Sequence, residues 1–227
     1  MSIPYNASSE LIPQLHKGLF STSTSLIYLT QSLANLVYNI IMGMRIIAGS
    51  VKGFPLKVPR GTPTRPATEL VRGAIFSILT SSVDDWSKVL DLFSGSGSLG
   101  IEALSRGAGK VDFIDQEARC CAIIKENLTK TGFNDKAKVH CLTVSRAIAV
   151  LEGPYNIILI DPPYKDTGIG KTIEQLANSS LISMETVVVI THSSRFKLEM
   201  RYGPLVLKRE YRHGDSTIAI FRRESLP

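Results

Sequence analysis

Residues 157–164 read Ile-Ile-Leu-Ile-Asp-Pro-Pro-Tyr, an apolar run that stops at a carboxylate, two prolines and an aromatic ring. These residue types suit one chemical task. An exocyclic amine on a planar base is a poor nucleophile, because its lone pair is delocalised into the ring. Asp161 can accept one of its N–H bonds and the carbonyl of Pro162 the other. The nitrogen is then held nearer sp3, with its lone pair aimed at an electrophile. Tyr164 offers a face on which the base can stack. Asp161, Pro162 and Tyr164 are therefore the candidate catalytic residues.

Such a group must be delivered by something rigid. The unbroken run at 157–160 reads as a strand buried on both faces, as in the interior of a parallel sheet. Pro162 and Pro163 cannot donate to a ladder, so the strand ends there and leaves the carboxylate at the carboxyl edge. In open α/β sheets that edge is where ligands bind.

A second constellation lies upstream. Residues 89–93, Val-Leu-Asp-Leu-Phe, read as a first core strand, followed by the glycine turn Ser-Gly-Ser-Gly-Ser-Leu-Gly at 94–100 and a helix over 101–106. Glycines here let the backbone approach a ligand and let helix and strand pack closely. Gly95, Gly97 and Gly100 satisfy G-x-G-x-x-G, so a nicotinamide-dependent oxidoreductase is a competing reading. Asp115 closes the next strand 20 residues after Gly95, where such folds place an acid on ribose hydroxyls.

The remaining elements alternate strand and helix. Helices are expected over 67–80, 117–130, 145–151 and 169–177, and strands over 110–114, 138–142 and 186–190. The tail departs from this pattern, with strands at 205–211 and 217–221 joined by a hairpin turn at 212–215. Upstream, residues 44–48 and 55–58 read as a β-hairpin or a pair of short strands around Gly49-Ser-Val-Lys-Gly53. Between Met44 and Gly73 six basic residues (Arg45, Lys52, Lys57, Arg60, Arg65, Arg72) face one acid, Glu69. That clustering on a small loop-rich element suits contact with phosphates, and Arg45, Lys52, Arg60, Arg65 and Arg72 are the candidate phosphate contacts. The terminal stretch 195–223 is also basic, with eight basic and three acidic residues.

A net charge of +6 over 227 residues suits a polyanionic partner. The three cysteines, Cys120, Cys121 and Cys141, have no metal-ligand spacing and fit a reduced compartment. The four histidines are scattered, and no apolar run reaches membrane-spanning length. The expectation is a cytoplasmic monomer without a metal. Residues 1–43 differ from the rest, with one acid (Glu10) and one lysine (Lys17). They are read as an extension, non-native or disordered, ahead of a native-looking start at Met44.

The tetrad at 161–164 resembles the Asp/Asn-Pro-Pro-Tyr/Phe motif of amino-directed S-adenosylmethionine (SAM) methyltransferases. Residues 44–221 as a whole resemble the RsmD family of 16S ribosomal RNA guanine-N2 methyltransferases. The resemblance is carried by MRIIAGSVKG (44–53), TRPATELVRGAIFSIL (64–79), DLFSGSGSLGIEALSRGA (91–108), the tetrad, and HGDSTIAIF (213–221). It implies an α/β Rossmann-like class I methyltransferase fold. The sheet would have seven mostly parallel strands in the order 3-2-1-4-5-7-6, with strand 7 antiparallel and helices on both faces. The implied organisation is an extension at 1–43, a basic hairpin arm at 44–66 and a methyltransferase domain at 67–227. SAM is the implied methyl donor, held by Asp91, Phe93, Ser94, Gly95, Ser96, Gly97, Asp115 and Gln116. The implied partner is 16S rRNA in an assembled or assembling small subunit.

Four positions depart from the family pattern. Ala67 stands for the usual Thr and Gly73 for the usual Glu. Residues 143–146, Thr-Val-Ser-Arg, lack the acid expected near the adenine, and Thr191 stands where an acid is often seen. An adenine-N6 methyltransferase would use the same tetrad. A non-catalytic RNA-binding assembly factor is a further alternative, and the intact Asp91, Gly95, Gly97, Asp115, Asp161 and Tyr164 speak against it.

Overall fold

The computed structural model describes residues 43–59, 69–163 and 168–225. Arg60, Arg65, Ala67 and Tyr164, and nearly all of the 1–43 extension, lie outside the described residues.

Chain order runs α1 (Glu69–Ser82), β1 (Lys88–Leu92), α2 (Ser98–Ser105), β2 (Lys110–Asp115), α3 (Ala118–Thr131), β3 (Ala137–Cys141), α4 (Val144–Val150), β4 (Ile157–Ile160), α5 (Ile169–Ala177), β5 (Val187–Ser193), β6 (Arg201–Tyr202), β7 (Leu205–His213) and β8 (Ser216–Arg223). The strands form one sheet in the order β3-β2-β1-β4-β5-β8-β7-β6. β1 to β5 are mutually parallel, while β8 lies antiparallel between β5 and β7. The expected seven-strand order is reproduced and extended by β6, a two-residue edge strand that brings the described sheet to eight. Two residues are too short for any periodicity to announce. The antiparallel hairpin is also what separates this sheet from an all-parallel dinucleotide fold.

Strand alternation divides the core into two. Val89, Val111, Phe113, Ile157, Leu159, Val187, Val189, Ile218 and Ile220 pack on one face under Val71, Ile75, Phe76, Leu79, Leu104, Ile124 and Leu128 of α1, α2 and α3. Leu90, Leu92, Ile158, Ile160, Val188, Ile190 and Phe221 pack on the other under α4 and α5. All four residues of β4 are buried. Each such side chain contributes roughly 1.5–3 kcal/mol, and a one-residue slip would swap every one of them between faces. That fixes where Asp161 emerges.

Several boundaries differ from expectation. α2 starts at Ser98, three residues before the expected helix at 101, because it begins within the glycine turn. β5 continues past residue 190 to Ser193, where β8 pairs with Thr191, His192 and Ser193. The hairpin strands run to His213 and from Ser216, leaving a two-residue turn.

Candidate active site

Asp91 sits in β1 with its side chain on the α2 face of the sheet. It is 1% exposed. Its Oδ2 accepts a hydrogen bond from the Gly100 amide at 2.9 Å, while its Oδ1 is buried and has no partner. Burial pushes the carboxyl up to about 8; the Gly100 amide opposes this, and the charges of Asp161 and Asp115 add to it. A buried acceptor left unpaired is costly unless a ligand completes it.

β1 is followed directly by Phe93, a non-glycine residue at φ 59°. Left-handed backbone at a bulky residue is strained and collects at functional sites. Ser94 is engaged within the protein: its hydroxyl donates to the Asp91 carbonyl at 2.6 Å and accepts from the Ile114 amide at 2.9 Å. Ser96 directs its hydroxyl to Met44 Sδ at 3.3 Å. Gly97 precedes α2 at φ 78° with no side-chain cap, and of the first-turn amides that of Gly100 is taken by Asp91. Gly100 fits for a different reason, since a Cβ there would lie 2.2 Å from the Phe113 ring.

Asp115, at the end of β2, uses Oδ2 to accept from the Gly95 amide at 2.8 Å and Oδ1 to accept from the Glu117 amide at 2.9 Å. It is half-buried, and the neighbouring Gln116 is exposed. Asp91, Asp115 and Asp161 thus come from β1, β2 and β4, which are adjacent in the sheet order β2-β1-β4.

Asp161 follows β4 and is half-buried, and Pro162 behind it is buried. Its Oδ1 accepts a short hydrogen bond from the Thr191 hydroxyl. Asp91, Asp161 and Thr191 continue the alternation of Val89, Leu159 and Val189, so the three side chains share one face. In the sequence Thr191 stands only as a missing acid beyond its strand, whereas β8 pairing carries the strand through it. Nothing in the sequence marks its contact with Asp161, which is 30 residues away.

The arm doubles back as expected, although its ladder is slight. Ile46 and Phe54 are linked at 3.0 Å, Gly53 and Ile46 at 2.8 Å, and Leu56 and Met44 at 2.7 Å. It is clamped to α2. The buried Glu102 accepts from the amides of Ile47 at 2.7 Å and Ala48 at 3.0 Å and from Arg106 Nε at 2.8 Å. Gly49, at φ +87°, lies so close to α2 that a Cβ would come 1.9 Å from the Ser105 carbonyl oxygen. Asn127 of α3, fully buried, donates to the carbonyls of both Lys57 and Ser96 at 2.9 Å and so ties the arm to the glycine turn. Nothing in the sequence marks Glu102 or Asn127 as an anchor. Both look there like ordinary polar helix residues, and only their burial distinguishes them.

Among the basic candidates, Lys52 is exposed and Arg45 half-buried. Arg72 must be reassigned. It is 1% exposed, and its Nη2 donates to the Arg45 carbonyl at 2.8 Å. Burial lowers its pKa while Glu102 and Glu69 oppose that. It falls on the apolar stripe of α1 beside Val71, Ile75 and Phe76, so it supports the arm from inside and cannot reach a phosphate.

No helix among the described residues is long and apolar enough to cross a membrane. The family model "Conserved hypothetical protein 95" matches residues 44–222. The chain is 29% identical over 182 residues to ribosomal RNA small subunit methyltransferase D of Escherichia coli (strain K12), covering 80% of this chain and 91% of that one. It is 42% identical over 233 aligned residues to an uncharacterized methylase of Rickettsia prowazekii (strain Madrid E), covering 80% and 98%. The solved structure of Escherichia coli yhhF superposes with a TM-score of 0.71 at 30% identity, covering 81% of this chain and 99% of that one. A match over four-fifths of the chain, on a sheet whose antiparallel strand lies where a class I methyltransferase requires it, leaves one assignment: the chain belongs to the Conserved hypothetical protein 95 family, the RsmD family.

Proposed function

We propose that this protein transfers a methyl group from SAM to the exocyclic N2 amine of a guanine in the 16S rRNA of the small ribosomal subunit. The observation that carries the reading is the juxtaposition of two carboxylates with different chemistry on one sheet edge. Asp91 is buried with an unpaired oxygen, and Asp161 is half-buried and oriented by Thr191.

The residues present fit SAM. Asp91 Oδ1 would accept from its α-ammonium, which explains a buried acceptor otherwise left without a donor. The start of α2, which carries no side-chain cap, suits its carboxylate. Asp115 would accept from the ribose hydroxyls, and Phe93, Ser96 and Gln116 border the same edge. SAM supplies the electrophile, a methyl group on a sulfonium.

The acceptor side belongs to the tetrad. A guanine flipped from its stack can bring its amine to the sheet edge. Asp161 and the Pro162 carbonyl accept the two N–H bonds, and Tyr164 stacks on the ring. The amine proton becomes acidic only as the new N–C bond forms, so a strong base is unnecessary. Asp161 takes that proton or passes it to water.

Tritiated methyl transfer to small subunits from a strain lacking the endogenous enzyme tests this directly. The digested RNA is expected to yield N2-methylguanosine; label in N6-methyladenosine would replace the guanine reading with the adenine one. Docking is assigned to the basic arm, residues 44–66, with phosphate contacts from Arg45, Lys52, Arg60 and Arg65. Replacing Arg60 and Arg65 together is expected to weaken RNA binding and reduce the slope of log K against log salt by roughly 1.5. An unchanged slope would place the RNA on another surface.

A further inference from the structure

The three cysteines take no part in the chemistry above, yet two of them meet beside the cofactor edge. All three are free thiols. Cys121 is in α3 and Cys141 ends β3, 20 residues on, and their sulfurs lie 2.7 Å apart. Cys141 is exposed, and its β-sheet partner in register is Asp115. Cys121 is 4% exposed, and its thiol donates to the Asp115 carbonyl at 3.3 Å. That carbonyl also accepts the Leu142 amide at 3.1 Å. The pair is therefore wired to the backbone of the residue assigned to the ribose.

We propose that Cys121 and Cys141 form a reversible disulfide with small-molecule disulfides as oxidant, and that this bond weakens SAM binding. The second half rests on the SAM reading above. The exposed Cys141 loses its proton to water and attacks glutathione disulfide, forming a mixed disulfide and expelling one glutathione thiolate. Cys121 then loses its proton and attacks Cys141 Sγ, expelling the second. Two protein thiols are oxidised by two electrons and one glutathione disulfide is reduced to two glutathiones. Burial pushes the Cys121 thiol up to about 12, with Cys141 adding to the shift, which fits it as the resolving and not the initiating sulfur. Once the bond forms, Cys121 has no S–H left to give the Asp115 carbonyl, and α3 is tied to the sheet edge. The position of Asp115 between the Gly95 and Glu117 amides then changes.

The test equilibrates the full chain in glutathione redox buffers. Mass spectrometry reads the cross-link and calorimetry the SAM affinity of each form. The expected results are a single 121–141 link and an affinity about threefold or more lower in the oxidised form, restored by dithiothreitol. Cys120→Ser should retain the link, whereas Cys121→Ser and Cys141→Ser should lose both the link and the redox dependence. Because coupling is reciprocal, saturating SAM should shift the thiol–disulfide equilibrium toward the dithiol by the same factor. Absence of the link at every glutathione ratio overturns the proposal, and so does a link that leaves SAM affinity unchanged. If the reduced protein binds no SAM, the cofactor reading falls, and the coupling with it.

Discussion

Replacing Asp161 by alanine is expected to abolish methyl transfer while leaving SAM affinity within about twofold of wild type. The carboxylate acts on the acceptor amine, so its loss is confined to the transition state for transfer. Asp161→Asn keeps one acceptor oxygen and should retain more activity than alanine. The Thr191 hydroxyl donates to Asp161 Oδ1 and orients the carboxylate. Thr191→Val removes that donor at nearly constant shape. It should lower kcat by about tenfold, the worth of one charge-assisted bond of roughly 1.5 kcal/mol, with Thr191→Ser restoring most of it. Tyr164→Phe keeps the stacking face and should be mild, whereas Tyr164→Ala should be severe. Single-turnover assays alongside SAM calorimetry separate the two sides of the site. Wild-type turnover by Asp161→Ala would sink the assignment.

Asp91→Asn should cost about tenfold to a hundredfold in SAM affinity, the worth of a charge-assisted bond of roughly 1.5–3 kcal/mol. A characteristic pH dependence should accompany that loss. Burial pushes this carboxyl up to about 8 in the ligand-free protein, well above its ordinary value. An ammonium bound against it would favour the ionised form, so binding near neutral pH must release a proton. SAM affinity should therefore rise as pH rises from about 6 toward about 8. Calorimetry in buffers of different ionisation enthalpy would count that proton. Stability depends on pH in the opposite sense. A raised folded pKa means the folded state holds a proton that the unfolded state has lost above ~4. Stability from this group is present below ~4 and is lost as pH rises through about 8. Ligand-free Asp91→Asn should consequently melt higher than wild type at about pH 8 and close to it at about pH 5. A variant that bound SAM normally, or that melted lower at the higher pH, would remove Asp91 from the cofactor site.

The sequence alone determined the parts whose physics is local. An apolar run meeting two prolines specifies a buried strand and its end, so β4 and the place of Asp161 are legible in the residue types themselves. Glycine spacing specifies the turn after β1 in the same way. What tertiary structure decided concerns burial and distant pairing. Arg72 reads as one more cation of a basic arm, yet the α1 stripe turns it into the core beneath Arg45. Glu102 and Asn127 read as surface polar residues, yet closing the arm over α2 buries them as its anchors. Thr191 reads as lying just beyond its strand, yet β8 pairing carries the strand through it, and its hydroxyl meets Asp161. The reason is common to all four. A hydrogen bond between residues far apart in the chain leaves no period or composition in either segment, and it exists only once the sheet has set its register.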